Sequence, residues 1–394
     1  MMFNPAFSKR ASGSASRASA LFIAALTAFA VNTSNSQTTT SWNSTSSGTW
    51  STAANWTANA PSTGPQIADY PGTATLQHTL DLAGATGRTS FGQQFDFVAG
   101  GIGYTFGGTA GAVSGFFTRA GGPINGGAGG IVNNDDNTQT FNVPMKLTSN
   151  SGVAGAGAAQ TWNAAAGNLV FNGNNNAPAT PWTVNLNGAS ALTIDGSFNT
   201  TIGSSGPGQI VNTNGAPTGI IKNGTGTLTL AGTAANTFTG VNRINNGKIL
   251  AGKVNALGSG NNLILGGGTF DTGGLNEALG TLDLQGSATI DFNTGASAVN
   301  FANSSGVAWG SFTLSLLNWT SGSDTLQVGA DATGLTAAQL SEIVFSDLPG
   351  APGAQIDANG FITPALVPEP SALAVCLVGG FGLAARLIVR RRKA

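Results

Sequence analysis

Few side chains in this sequence could do chemistry. Asp135 and Asp136 stand adjacent in Asn133-Asn-Asp-Asp-Asn137, a run of oxygen donors that suits a Ca²⁺ loop and, more simply, a solvated turn. Asp195, Asp271, Asp283 and Asp291 fall singly in strand-like phrases, facing solvent or capping turns. Sugar hydrolysis or elimination would need such carboxylates gathered on one face. Stacking of phrases could gather them, Asp195 and Asp283 included, and strand register decides whether it does. His78, the one histidine, has no serine motif or partner around it and reads as a surface-loop residue. Gly101-Ile-Gly103 has neither a Walker lysine nor a following helix, so tight turns explain it better than phosphate binding. Trp42, Trp50 and Trp56 could stack on sugar rings, or pack an N-terminal rung. No residue is assigned a catalytic or metal-binding role, and no cofactor is expected.

Composition supports that restraint. Of 394 residues, 59 are Gly and only 8% are charged, with one His, one Cys and a formal net charge of −1. His/Cys metal sites, Cys–His nucleophile pairs and disulfide frameworks are therefore excluded. Fifteen Lys and Arg are too few for a dense phosphate-neutralising face, so no nucleic-acid partner is expected. The charges are also unevenly placed. Residues 31–367 hold 7 bases and 15 acids, and the remaining cations cluster at the two ends.

At the first end, Lys9, Arg10 and Arg17 precede an apolar run from Ala20 to Val31, with Ala28 and Ala30 at the small positions a signal peptidase reads. This layout predicts a signal peptide over 1–30 and passage through the secretory translocon. At the other end, Val367, Pro368, Glu369 and Pro370 lead into an apolar segment, 372–389, followed by Arg390, Arg391, Arg392 and Lys393. Eighteen residues at 1.5 Å rise make about 27 Å of helix, just short of a hydrocarbon core, with Arg386 able to snorkel towards the basic stop. A transmembrane helix is expected there, basic end inside. The tripartite tail, 367–394, resembles the PEP-CTERM sorting signal of Gram-negative bacteria. That resemblance implies an exosortase-type membrane protease as partner, acting at the Pro-Glu-Pro motif. Cys376 lies within this tail.

The elements that must position everything else lie between. Phrases such as Asn168-Leu-Val-Phe-Asn-Gly173, Ala191-Leu-Thr-Ile-Asp-Gly196, Thr227-Leu-Thr-Leu-Ala-Gly232, Lys248-Ile-Leu-Ala-Gly252, Asn262-Leu-Ile-Leu-Gly-Gly267 and Thr281-Leu-Asp-Leu-Gln-Gly286 alternate apolar and polar residues and end in Gly. Apolar side chains at i and i+2 share a face that one strand cannot bury but a stack can. Their spacing, mostly near 20 residues, predicts an all-β solenoid rather than a sandwich array or a propeller with blades of some 40 residues. Coils of about 20 residues advancing about 4.8 Å each would make a rod of roughly 75 Å.

One stretch has a sharper signature: Lys222, Gly224, Gly226, Leu228, Leu230 and Gly232, then Asn236, Phe238 and Gly240. Residues 220–272 resemble the autotransporter-associated β-strand repeat, with Phe238 where that repeat usually has Tyr. The resemblance implies a right-handed parallel β-helix in an exported domain, and no particular activity. The organisation expected is a Gly-rich β region over 31–130, solenoid repeats over 131–330, a helix and strand over 331–347 and a linker over 348–366. Thr336 and Gln339 form a capping box for a short helix over 337–343, with Leu335 and Leu340 as a hydrophobic staple. The helix would cover the open end of the solenoid.

The function expected is non-enzymatic: a structural or adhesive protein, first membrane-anchored, then at the cell surface or in the extracellular matrix of a Gram-negative bacterium. Extracellular polysaccharide is a candidate partner. The alternative is a carbohydrate-active enzyme or glycan-binding module on the same scaffold.

Overall fold

The computed structural model describes short pieces between 38 and 119, then residues 129–148, 159–173, 182–187 and 191–365 apart from 215 and 351. The expected signal peptide, with Ala28 and Ala30, and the tail from Val367 to Lys393 lie outside the described residues. Among the described residues, no helix is long and apolar enough to cross a membrane.

The described chain is mostly β, and its long parallel sheets are consistent with a β-solenoid. Sheet 1 has ten strands, running from Thr38–Ser41 to Leu282–Leu284, and sheet 2 has twelve, from Gly48–Thr49 to Ile343–Phe345. Sheet 3 has five, from Arg88–Ser90 to Ile210–Val211. Sheet 4 opens at Glu277–Ala278 and continues through Ala298–Phe301 and Thr325–Val328. The chain visits sheets 1 and 2 in turn, so each strand pairs with the strand one coil later.

Alternation fills the core. In Gln160–Ala164, residues Gln160, Trp162 and Ala164 are buried while Thr161 and Asn163 are half exposed. Register then stacks like on like. Phe106, Phe141 and Phe171 are cross-strand partners, their rings 4.6 and 4.9 Å apart, and Trp162 lies 4.2 Å from Phe171. Such pairs contribute about 0.5–1.5 kcal/mol each beyond their burial. Further along sheet 2, Leu228, Ile249, Phe270, Ile290, Leu316 and Phe345 continue one inward column.

Coil length departs from the single 20-residue repeat. Leu192 pairs with Ile220, 28 residues on, and Thr105 with Thr140, 35 residues on. The pairing falls to 21 residues from Lys248 to Thr269. The physical reason is sheet 3, a third strand in every coil from Arg88–Ser90 to Ile210–Val211, which the later, shorter coils lack. No boundary falls at 130, because Gly92–Phe95 pairs with Gly130–Asn133 in sheet 1.

The C-terminal end is closed by several pieces. Helix α1, Ala337–Ser341, has Thr336 as N-cap with the reciprocal Gln339 box. It stops short of 343 because Ile343–Phe345 is already the last strand of sheet 2. Gln339 Nε2 also donates to Ser304 O (3.0 Å) and Val307 O (2.9 Å). That pins a loop whose Ser304 Oγ and Trp309 Nε1 bond the last strand of sheet 1 at Leu282. Residues 348–366 are not a bare linker. Ala354–Ile356 and Phe361–Pro364 form an antiparallel hairpin that docks on Thr325–Val328 and ends sheet 4. Composition suggested a linker because Pro, Gly and Ala dominate there, but hairpin pairing needs only backbone groups and a turn.

Candidate functional site

The repeat motif proves to be a set of packing devices. Lys222 occupies an inward column of sheet 1 between Ile194 and Ile244, where every other register partner from Ile131 to Leu284 is apolar. Its Nζ turns back to donate to Gly224 O. Burial lowers its pKa to about 8, opposed by the charge of Asp195. Gly224 and Gly226 let successive coils touch: a Cβ on either would lie 2.0 Å from Gly196 O or 1.9 Å from Phe198 O. Leu228, Leu230 and Phe238 are core residues, and a hydroxyl on Phe238 would find itself buried. Gly232 (φ +96°) and Gly240 (φ +152°) turn the chain.

The densest buried polar group forms where sheet 3 has ended and sheet 4 has not begun. Ile210 N–H, in the last strand of sheet 3, donates to Asn236 Oδ1 (2.8 Å). Asn236 Nδ2 donates to Ala256 O (2.6 Å). Ala256 N–H and Leu257 N–H donate to the Glu277 carboxylate (2.6 and 3.4 Å), in the first strand of sheet 4. Polar side chains thus carry backbone hydrogen bonding across two coils that have no third strand. Lys253 locks the assembly: its Nζ donates to Gly208 O (2.8 Å), Ala234 O (2.9 Å) and Asn236 Oδ1 (2.8 Å). All three side chains are buried, at 8% exposure for Lys253, 6% for Asn236 and 1% for Glu277. Burial lowers the Lys253 pKa to about 8 against the pull of Glu277. Burial likewise raises Glu277 to about 7, opposed by the two N–H donors and by Lys253.

A second charged cluster lies at the strand ends of sheet 2. Asp271 and Asp291 are register partners, and Lys248 Nζ reaches Asp271 Oδ2 at 2.6 Å and Asp291 Oδ2 at 3.9 Å. Asp271 Oδ1 accepts from Gly273 N–H (3.0 Å) and Asn293 Nδ2 (2.9 Å). Burial alone would raise the Asp271 pKa, but bonds from Lys248, Asn293 and Gly273 outweigh it and hold the carboxyl below its usual value. Stacking therefore joins Asp271 with Asp291. Asp195 and Asp283 stay apart, with three strands of sheet 1 between theirs. Both Asp271 oxygens are bonded within the protein, so the cluster serves as a turn lock.

The other candidate residues also meet structural partners. Asp135 is buried, with Oδ1 accepting from Asn137 and Oδ2 from Gln139 Nε2. Its turn packs so tightly that a Cβ on Gly167 would lie 2.3 Å from Asp135 O. Among the described residues, no three His, Cys, Asp or Glu gather closely enough to hold a metal ion. Trp56 is in the core, at 3% exposure. At Gly103 the close approach is to Thr138 O, 2.0 Å from where a Cβ would sit. Trp42, Trp50, His78 and Gly101 lie outside the described residues. Sequence reasoning passed over Lys253 and Glu277, although isolated charges in so uncharged a body were a usable signal. No known protein family matches this chain, and neither does any curated protein or solved structure.

Proposed function

We propose that the protein is an exported, non-enzymatic β-solenoid that serves a structural or adhesive role at the cell surface or in the extracellular matrix. In this reading the translocon exports the precursor and residues 1–30 are removed after Ala30. The segment 372–389 then holds the precursor in the membrane, with Arg390 to Lys393 on the cytoplasmic side. An exosortase-type protease acts at Pro368-Glu369-Pro370, and extracellular polysaccharide is the partner of the released body. The coil is right-handed, the sense that parallel β-crossovers overwhelmingly take.

The observation that carries the reading is a conjunction. Two ends patterned for export and sorting flank a body whose described buried polar side chains bind its own backbone. A scaffold built this way presents surface rather than chemistry. Fractionation of cells producing the full chain and a form lacking 367–394 tests it. The full chain should reach the surface or medium, and the truncated form should be retained in the periplasm. An identical distribution for both rules out the sorting role.

A further inference from the structure

The group around Lys253 has more than hydrogen bonding in it. Its amine touches three carbonyl oxygens, those of Gly208, Ala234 and Asn236. Two of these belong to peptide bonds, where attack would cut the chain. The third is a carboxamide, whose carbon can exchange one amine for another. Asn236 is also held as an acyl-transfer substrate would be. Its Oδ1 accepts from Ile210 N–H at 2.8 Å, a fixed donor where negative charge would develop, and its leaving nitrogen is anchored on Ala256 O at 2.6 Å. Nucleophile and electrophile are buried together, so water competes poorly and their alignment is built in.

We propose that Lys253 and Asn236 condense to an intramolecular isopeptide bond, a covalent modification that ties two successive coils together. The neutral amine attacks Asn236 Cγ. The Nζ–Cγ bond forms, the Cγ–Nδ2 bond breaks, one Nζ proton passes to Nδ2, and ammonia leaves. The new amide keeps one N–H, for which Gly208 O and Ala234 O are at hand. Burial of Lys253 favours the step because it makes the uncharged amine available near pH 8. Glu277 is a positioning residue: it holds the 256–257 backbone on which the leaving nitrogen rests. Lys222 offers an internal contrast, since its printed bond goes to a peptide carbonyl and not to a carboxamide. The inference does not depend on export or sorting.

Peptide mapping of the full chain, held overnight at pH 8 and digested under denaturing conditions, tests the proposal. Arg243 and Lys248 lie between Asn236 and Lys253, so trypsin separates the two residues unless a bond joins them. The expected result is a branched peptide, lighter than its two parts by one ammonia beyond the water balance of digestion, and resistance to cleavage after Lys253. Lys253→Arg keeps the cation and its donors but should lose the branched product, as should Asn236→Ala. Quantitative recovery of separate peptides with unmodified Asn236 and Lys253 from the wild-type chain overturns the proposal, whatever the variants do.

Discussion

Glu277 and Lys222 are ionisable groups held away from water, and each ties stability to pH with a definite sign. Glu277 binds its proton more tightly folded than unfolded, with a pKa near 7 rather than 4.5. Its contribution is therefore full below about pH 4.5 and is lost as pH rises towards 7, by up to about 3 kcal/mol. Glu277→Gln should flatten that slope in melting temperature measured from pH 4.5 to 7. Lys222 has the opposite displacement, from 10.5 down to about 8. The folded state bears the cost of its charge below pH 8 and is relieved of it as pH rises towards 10.5, so Lys222→Met should raise the melting temperature most below pH 8. Asp271, held below its usual pKa by Lys248 and Asn293, acts as an ordinary stabilising carboxylate. Its share is present above pH 4 and disappears on acidification. Asp271→Asn should narrow the acid arm of the stability curve while leaving the alkaline arm alone.

At the scale of elements, the limiting dimension is the distance between successive coils. A Cβ at Gly226 would stand 1.9 Å from Phe198 O, so Gly226→Ala must push two coils apart. The cost should be about 2–4 kcal/mol, read as a lower denaturant midpoint with an unchanged m-value. The cap depends on one side chain of α1. Gln339 bonds Thr336 N–H within the helix and Ser304 O and Val307 O outside it. Gln339→Ala removes all three and should cost about 2–3 kcal/mol, since two carbonyls near the sheet 1 edge lose their partner. These local devices differ in how legible they were. The capping box lies within four residues of sequence, so it was readable. The linker assignment failed because Ala354–Ile356 and Phe361–Pro364 become strands only against Thr325–Val328.

For the whole molecule, closure of the C-terminal end matters most. Deleting 352–394 would strip the hairpin from Thr325–Val328 and the bridge at Val344, leaving open edges on sheets 2 and 4. Such edges pair with other chains, so light scattering should show concentration-dependent association that the longer form, ending at 366, does not. The sequence by itself determined that the body is β and stacked, because alternation with period two and terminal glycines are properties of a few neighbouring residues. It also determined where charge would be scarce. Only the tertiary structure decided coil length, since a third strand in one coil is stabilised by third strands in its neighbours. It alone decided which charges meet. Lys253 finds partners 45, 19 and 17 residues away, and Glu277 finds its own 21 and 20 residues back. Register sets those meetings through the summed packing of whole coils, a quantity that no short stretch of sequence contains.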